Sequence, residues 1–132
     1  MPLVKFNVPQ SFPDSRVAGL REAVHEALVA TANVPPDDLF HVVQKLDASS
    51  LLIDTGFLGV ERSSEAVIVE IAFRMGRTET QKQALYREIA RLARERAALR
   101  PEDVMVVLTE NTSLDWSFGQ GVAHYALAPV PA

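Results

Sequence analysis

Pro35-Pro36-Asp37-Asp38 leads into an extended run from Leu39 to Leu46, and Arg100-Pro101-Glu102-Asp103 leads into Val104-Met105-Val106-Val107-Leu108. Pro36 and Pro101 stand 65 residues apart, and the same shift superimposes what comes before them. Ahead of the first, the strand-like Leu3-Val4-Lys5-Phe6-Asn7-Val8 is followed by Pro9, Pro13 and Asp14. Val17, Leu20, Val24 and Leu28 then recur at helical spacing, with Arg16, Glu22 and Glu26 facing elsewhere. Ahead of the second, Val67, Val69, Ile71 and Phe73 alternate as on one strand face. Thr78-x-x-Gln81 supplies a capping box there, and Leu85, Ile89, Leu92 and Leu99 give the next helix a buried stripe. The order is strand, helix, strand, twice.

Crossovers between parallel strands are almost always right-handed, so two such units predict one sheet with both helices on one face. The expected fold is α/β in composition, α+β in layout: two fused β-α-β units, with pseudo-repeats at about 2–46 and 66–109, in a single domain spanning 1–132. Ser50 to Asp54 reads as a short strand and Thr55 to Arg62 as a glycine-containing loop. Ser117-Phe118-Gly119-Gln120-Gly121-Val122 carries the glycines of a short C-terminal β-hairpin. Val104 to Leu108 is apolar on both sides, as in a strand buried on both faces. The helix-free face of the sheet therefore needs cover, and self-association is the simplest.

The 132 residues suit one domain with a substantial core. Hydrophobic residues make up 48% and charged residues 23%, an ordinary globular balance. A net charge of −4 provides no basic field for nucleic acid. Without cysteine there is neither disulfide nor thiolate metal site, and His25, His41 and His124 lack ligand spacing, so no metal or cofactor is expected. No signal-peptide pattern or membrane-length apolar run is seen, which points to a cytoplasmic protein without membrane contact.

Pro2 carries the sharpest chemistry. If Met1 is removed, Pro2 becomes a chain-terminal secondary amine, and an α-amino group titrates close enough to neutrality to serve as a general base or acid. Arg77, just before the Thr78 cap, lies at the positive end of a helix and suits a carboxylate; Arg74, at the end of the preceding strand, can add a second cation. Asp38 begins the strand after the double proline and can orient water or polarise a carbonyl, although Asp103 matches it in the other repeat as a turn aspartate. Trp116 and Phe118 can share one face of the late hairpin as an apolar wall that Tyr125 extends.

Pro2 after Met1, Gly76-Arg77-Thr78-x-x-Gln81-Lys82, and Glu110-Asn111 followed by Asp115-Trp116-Ser117-Phe118-Gly119 resemble the tautomerase superfamily over essentially the whole chain. Within it the pattern is most similar to malonate semialdehyde decarboxylase and its relatives. The resemblance implies a homotrimer and a catalytic amino-terminal proline. It also implies catalytic positions at Pro2, Asp38 and Arg77, with Trp116, Phe118 and Tyr125 lining the pocket. The chain departs from the pattern in two places. Met75 and Gly76 separate Arg74 from Arg77, where the decarboxylase has one intervening residue. Leu39-Phe40-His41 stands where relatives carry Arg-Tyr-Gln, so His41 takes the glutamine's place.

With these groups the expected substrate is a small oxo-acid, its carboxylate on Arg77 and its reacting carbon or carbonyl near Pro2. A neutral Pro2 moves a proton between carbon and oxygen, giving keto-enol tautomerisation. A protonated Pro2 polarises a carbonyl, favouring decarboxylation of a 3-oxo acid such as malonate semialdehyde, or hydration of an unsaturated acid. Cations lower the amine's pKa and Asp38 raises it. The irregular arginine spacing puts tautomerisation of a 2-oxo acid first. A noncatalytic ligand-binding oligomer is the reading from another class, since the same element order fits ferredoxin-like modules.

Overall fold

The computed structural model describes residues 1–126. Its elements are strand β1 (Leu3–Pro9), helix α1 (Asp14–Thr31), β2 (His41–Leu46), β3 (Val67–Arg74), α2 (Glu79–Ala97) and β4 (Val104–Asn111), with single 3-10 turns at Phe57–Gly59, Pro101–Asp103 and Ser113–Asp115. The four strands form one sheet in the order β2-β1-β3-β4. β1 runs parallel to β2, with Val4 opposite His41, and β3 runs parallel to β4, with Val67 opposite Val104. β1 and β3 join the units antiparallel, with Val4 opposite Ile71. The stagger between paired strands is therefore the same in both units.

Alternation sorts the side chains by face. Val4, Phe6 and Val8 of β1 and Val67, Val69, Ile71 and Phe73 of β3 are buried beneath the helices. Val17, Leu20, Val24 and Leu28 of α1 close the core from above, with Leu85, Ile89 and Leu92 of α2. Leu99, expected on the α2 stripe, is buried just past the helix end. The helices approach so closely at Gly19 that a Cβ there would lie 2.0 Å from the carbonyl oxygen of Arg96.

The helix starts differ, α1 following Pro13 without a side-chain cap, whereas the helix ends repeat. Thr78 accepts from the Gln81 N–H at 3.1 Å, while the Gln81 side chain accepts from the Thr78 N–H at 2.9 Å, the reciprocal box that starts α2. Each helix ends at a non-glycine residue in the left-handed region, Asn33 (φ 58°) after α1 and Ala98 (φ 52°) after α2. The next residue then bonds back into the last turn, Val34 N–H to Leu28 and Leu99 N–H to Ala93.

Two expectations change. Ser50 to Asp54 forms turn and coil, because Asp47 draws the chain into a local turn through the Ser49 N–H and hydroxyl, and a strand there would have no ladder to join. The 117–122 segment turns, with the Val122 N–H on the Gly119 carbonyl, but forms no β-hairpin. A two-stranded ribbon has little stability of its own, and ring packing holds this segment instead. As expected of a helix-free face left bare by one chain, β4 is an edge strand whose Met105 and Val107 are 42% and 39% exposed. Leu3, Phe40 and Val42 share that apolar, helix-free face, which the chain alone does not cover. Among the described residues, no helix is long and apolar enough to cross a membrane.

Candidate active site

Strand register brings the chain start to its partners. Continuing the β1–β2 pairing backward sets Met1 level with Asp38, and continuing the antiparallel β1–β3 pairing sets Met1 level with Arg74. The side chains follow. The Met1 ammonium donates to Asp38 Oδ2, and the Arg74 backbone N–H points at the Met1 sulfur at 3.2 Å. Met1 is 4% exposed and Pro2 is buried beneath it. With Met1 in place the Pro2 nitrogen is an amide and has no basicity. Asp38 Oδ1 is buried and takes no hydrogen bond among the described residues, leaving one acceptor of the pair uncommitted.

Arg77 is placed by backbone rather than by the helix start alone. Its Nε–H donates to the carbonyl of Ala32 at 3.0 Å and its Nη1 to that of Arg74 at 3.0 Å, while the guanidinium lies over the Phe73 ring at 4.7 Å. These contacts take up part of the fork and fix the plane of the rest. Burial, and secondly the like charge of Arg74, draw its pKa below the usual arginine value; Asp38 and Glu110 act the other way. Arg74 sits over the Tyr125 ring at 4.3 Å and reaches Ser113 Oγ at 3.5 Å. The two arginines, despite their spacing, open onto one cavity of about 430 Å³ with Asn33, Gln81, Thr112 and Ser113; of the expected site residues only these two arginines line it, and Pro2, Asp38, Trp116, Phe118 and Tyr125 do not.

The aromatic wall forms without the hairpin. Trp116 and Phe118 stack at 5.6 Å and 11°, and Tyr125 meets Phe118 edge-on at 5.3 Å. Trp116 is anchored by its Nε1–H on Asn111 Oδ1 at 2.7 Å, and the Phe118 N–H donates to His124 Nδ1 at 3.1 Å. Burial is the first cause raising the Tyr125 pKa. Phe118 remains 36% exposed, so a single chain does not seal the wall against water.

Sequence reasoning missed Phe40, whose ring lies 5.5 Å from Phe118; it registers only as a departure from the family pattern beside Asp38. Asn33, in the left-handed region just past α1, also lines the cavity. Thr112 and Ser113 were also missed, although Thr112-x-x-Asp115 is a capping signature that can be read from sequence, and the structure forms that box. His41 does not join the site. It faces the core side, with Phe6 edge-on at 4.9 Å, and its Nδ1 accepts from Arg21 Nε at 3.1 Å. Burial, then the charges of Arg21 and His25, lower its pKa to about 4. Among the described residues no group of three or more histidines or carboxylates could hold a metal ion.

A family model described as tautomerase enzyme matches residues 38–119. The chain is 34% identical over 124 residues to the probable tautomerase YusQ of Bacillus subtilis (strain 168), covering 94% of this chain and 98% of that protein. A solved malonate semialdehyde decarboxylase is similar at a TM-score of 0.89 and 31% identity, over 95% of this chain and 96% of its own. A fused 4-OT, solved as a symmetric trimer, shares the fold at a TM-score of 0.76 and 22% identity, over 94% and 98% of the two chains. With a family model over more than half its length and a relative matched nearly end to end, this chain belongs to the tautomerase superfamily.

Proposed function

We propose that the chain, after loss of Met1, is a homotrimeric enzyme that uses the Pro2 nitrogen as general acid and base on a small oxo-carboxylate, with keto-enol tautomerisation of a 2-oxo acid as its reaction. One observation supports the reading: the Met1 ammonium is on Asp38, the Arg74 N–H points at the Met1 sulfur, and Arg77 donates to the Arg74 carbonyl, a chain of contacts from the start of β1 to both arginines. In the tautomerisation, Arg77 with Arg74 binds the carboxylate. Pro2 takes the proton from the carbon next to the carbonyl, and electrons move onto the carbonyl oxygen. Returning a proton to that oxygen completes the enol, and the reverse sequence gives the ketone. Asp38 favours the protonated amine and the arginines the neutral one, so these three groups set its working state. Trp116, Phe118 and Tyr125 would hold the organic part. The exposed apolar sheet face, with Leu3, Met105 and Val107, supports subunit packing that would also dry the half-open wall.

The convergence of Arg74 and Arg77 on one cavity supports a second reading, decarboxylation of a 3-oxo acid such as malonate semialdehyde, because it removes the objection raised by their spacing. Here a protonated Pro2 polarises the carbonyl, the bond to the carboxylate breaks, and its electrons pass to the oxygen as carbon dioxide leaves. The same protonated amine would serve hydration of an unsaturated acid. The test begins with intact mass to establish loss of Met1, then measures turnover of phenylpyruvate and malonate semialdehyde. Pro2→Ala and the N-acetylated enzyme should each lose about 10²- to 10⁴-fold in rate, the usual contribution of a positioned acid or base. Undiminished turnover in the acetylated protein would refute the mechanism, and the preferred substrate decides between the two reactions.

A further inference from the structure

The 65-residue shift relates cavities as well as strands. Arg74, Met75, Gly76, Thr112 and Ser113 of the first cavity map onto Pro9, Gln10, Ser11, Asp47 and Ala48, all of which line a second cavity of about 790 Å³ at the other end of the sheet. Its wall includes Leu51 and Ile53, which the shift pairs with Trp116 and Phe118, rings that do not line the first cavity.

The shift sets Phe12 opposite Arg77 and Gln81 opposite Arg16, so Arg77 has no repeat counterpart; Arg16 nevertheless makes similar contacts, and the charges here are spent internally. Arg16 Nε–H donates to the Ala97 carbonyl at 2.7 Å, as Arg77 does to Ala32, and lies over Phe12 at 4.1 Å, as Arg77 lies over Phe73. Its Nη1 is then taken by Glu65 at 2.8 Å. Asp103, the counterpart of Asp38, is 1% exposed and accepts from the Ser63 N–H and hydroxyl at 2.7 and 2.6 Å, so a loop serine stands where Asp38 meets the chain end. Pro9 replaces the second arginine. Asp47, which the Ser49 hydroxyl holds below the usual carboxylate range, adds negative charge at the rim. What remains is an apolar hollow of Leu46, Leu51, Ile53 and Ala66, with hydroxyls at Ser11, Thr55 and Ser64.

We propose that this second cavity binds small uncharged molecules with an apolar body and a single hydroxyl or carbonyl, and rejects the carboxylates that suit the first. Apolar concavity with a few polar groups is the usual composition of a small-molecule site. A carboxylate entering it would meet Asp47 and, among the described lining residues, no cation, and would lose its hydration uncompensated.

Benzyl alcohol and phenylacetate form a matched probe pair, read by amide chemical shifts of the full chain and by the emission of Trp116, the only tryptophan. Benzyl alcohol should shift the amides of Ser11, Ala48, Leu51 and Thr55 and leave Trp116 emission unchanged. Phenylacetate should bind there at least about tenfold more weakly, a difference of roughly 1.4 kcal/mol. Ala48→Trp and Ser64→Trp, both at exposed wall positions, should remove those shifts while amides elsewhere keep their positions. Benzyl alcohol shifts confined to residues 74–77 and 112–116, equal binding of the two probes in the second cavity, or no shift at millimolar concentration would each overturn the proposal. The readout does not depend on turnover, so it stands or falls apart from the proposed reaction.

Discussion

Replacing Arg77 with alanine separates its structural role from the carboxylate-binding role proposed for it. The guanidinium bonds two backbone carbonyls, each at 3.0 Å, and covers the Phe73 ring. Charge-assisted hydrogen bonds contribute about 1.5–3 kcal/mol when water cannot replace them; at this half-buried site water can, so roughly 1–2 kcal/mol of stability should go in total. That corresponds to a fall of several degrees in Tm. A substrate carboxylate about 4 Å from the charge gains roughly 4 kcal/mol at an effective dielectric of about 20, and partial exposure trims this to about 2–3 kcal/mol. The expected loss in kcat/KM is roughly 30- to 160-fold, mostly as a rise in KM, because the carboxylate is held equally in ground and transition states. Arg77→Lys keeps the charge but cannot span the Ala32 and Arg74 carbonyls while facing substrate, and should fall between parent and alanine variant. Steady-state kinetics on phenylpyruvate, with a thermal melt of each variant, measures both effects. A folded Arg77→Ala protein with kcat/KM within about twofold of the parent would refute the assignment of the carboxylate site.

Two further predictions concern the scaffold. Gly19→Ala forces a methyl group to 2.0 Å from a backbone oxygen that cannot rotate away, so α1 and α2 must separate; a loss of about 1–3 kcal/mol or more should lower the denaturant midpoint, and an unchanged midpoint would contradict the helix contact. His41 titrates near 4 in the folded chain and near 6.5 unfolded. Between those values the unfolded state binds a proton the native state refuses, so stability is highest above 6.5 and falls as pH drops toward 4. The total is roughly 1–3 kcal/mol after allowance for partial solvent screening. Urea melts at pH 7.5 and 4.5 should show the drop, and His41→Gln, which keeps an acceptor for Arg21, should flatten it.

The parts of the fold that the sequence made readable are those where one residue set answers to one period. Val17, Leu20, Val24 and Leu28 face a single core, Val67 to Phe73 alternate against it, and the Thr78 box marks a helix start by local chemistry alone. The repeat added the pairing, since the two Pro-Asp corners begin equivalent parallel strands. Ser50 to Asp54 was misread because an apolar run does not say whether a partner ladder exists, and Asp47 turns the backbone away. The Gly119–Gly121 turn is real, but its flanks hold rings rather than pairing. Of the site, Arg77 was visible as a charge beside a cap, and Arg74 looked displaced. The sequence could not show that Arg77 folds back onto two carbonyls, so that residues of unequal spacing open onto the same cavity. Phe40 registered only as a departure beside Asp38, because its partner, Phe118, is distant in sequence.

The burial of Met1 over Pro2, with its ammonium on Asp38, has a practical consequence for handling the protein. Under the mechanism proposed above, a leader peptide carried into a purified preparation would block the proline and silence turnover, and such a sample would be easily mistaken for a protein with no activity. Affinity handles at this end need to be of the kind whose cleavage leaves proline first, and every negative assay should be accompanied by a mass spectrum of the terminus.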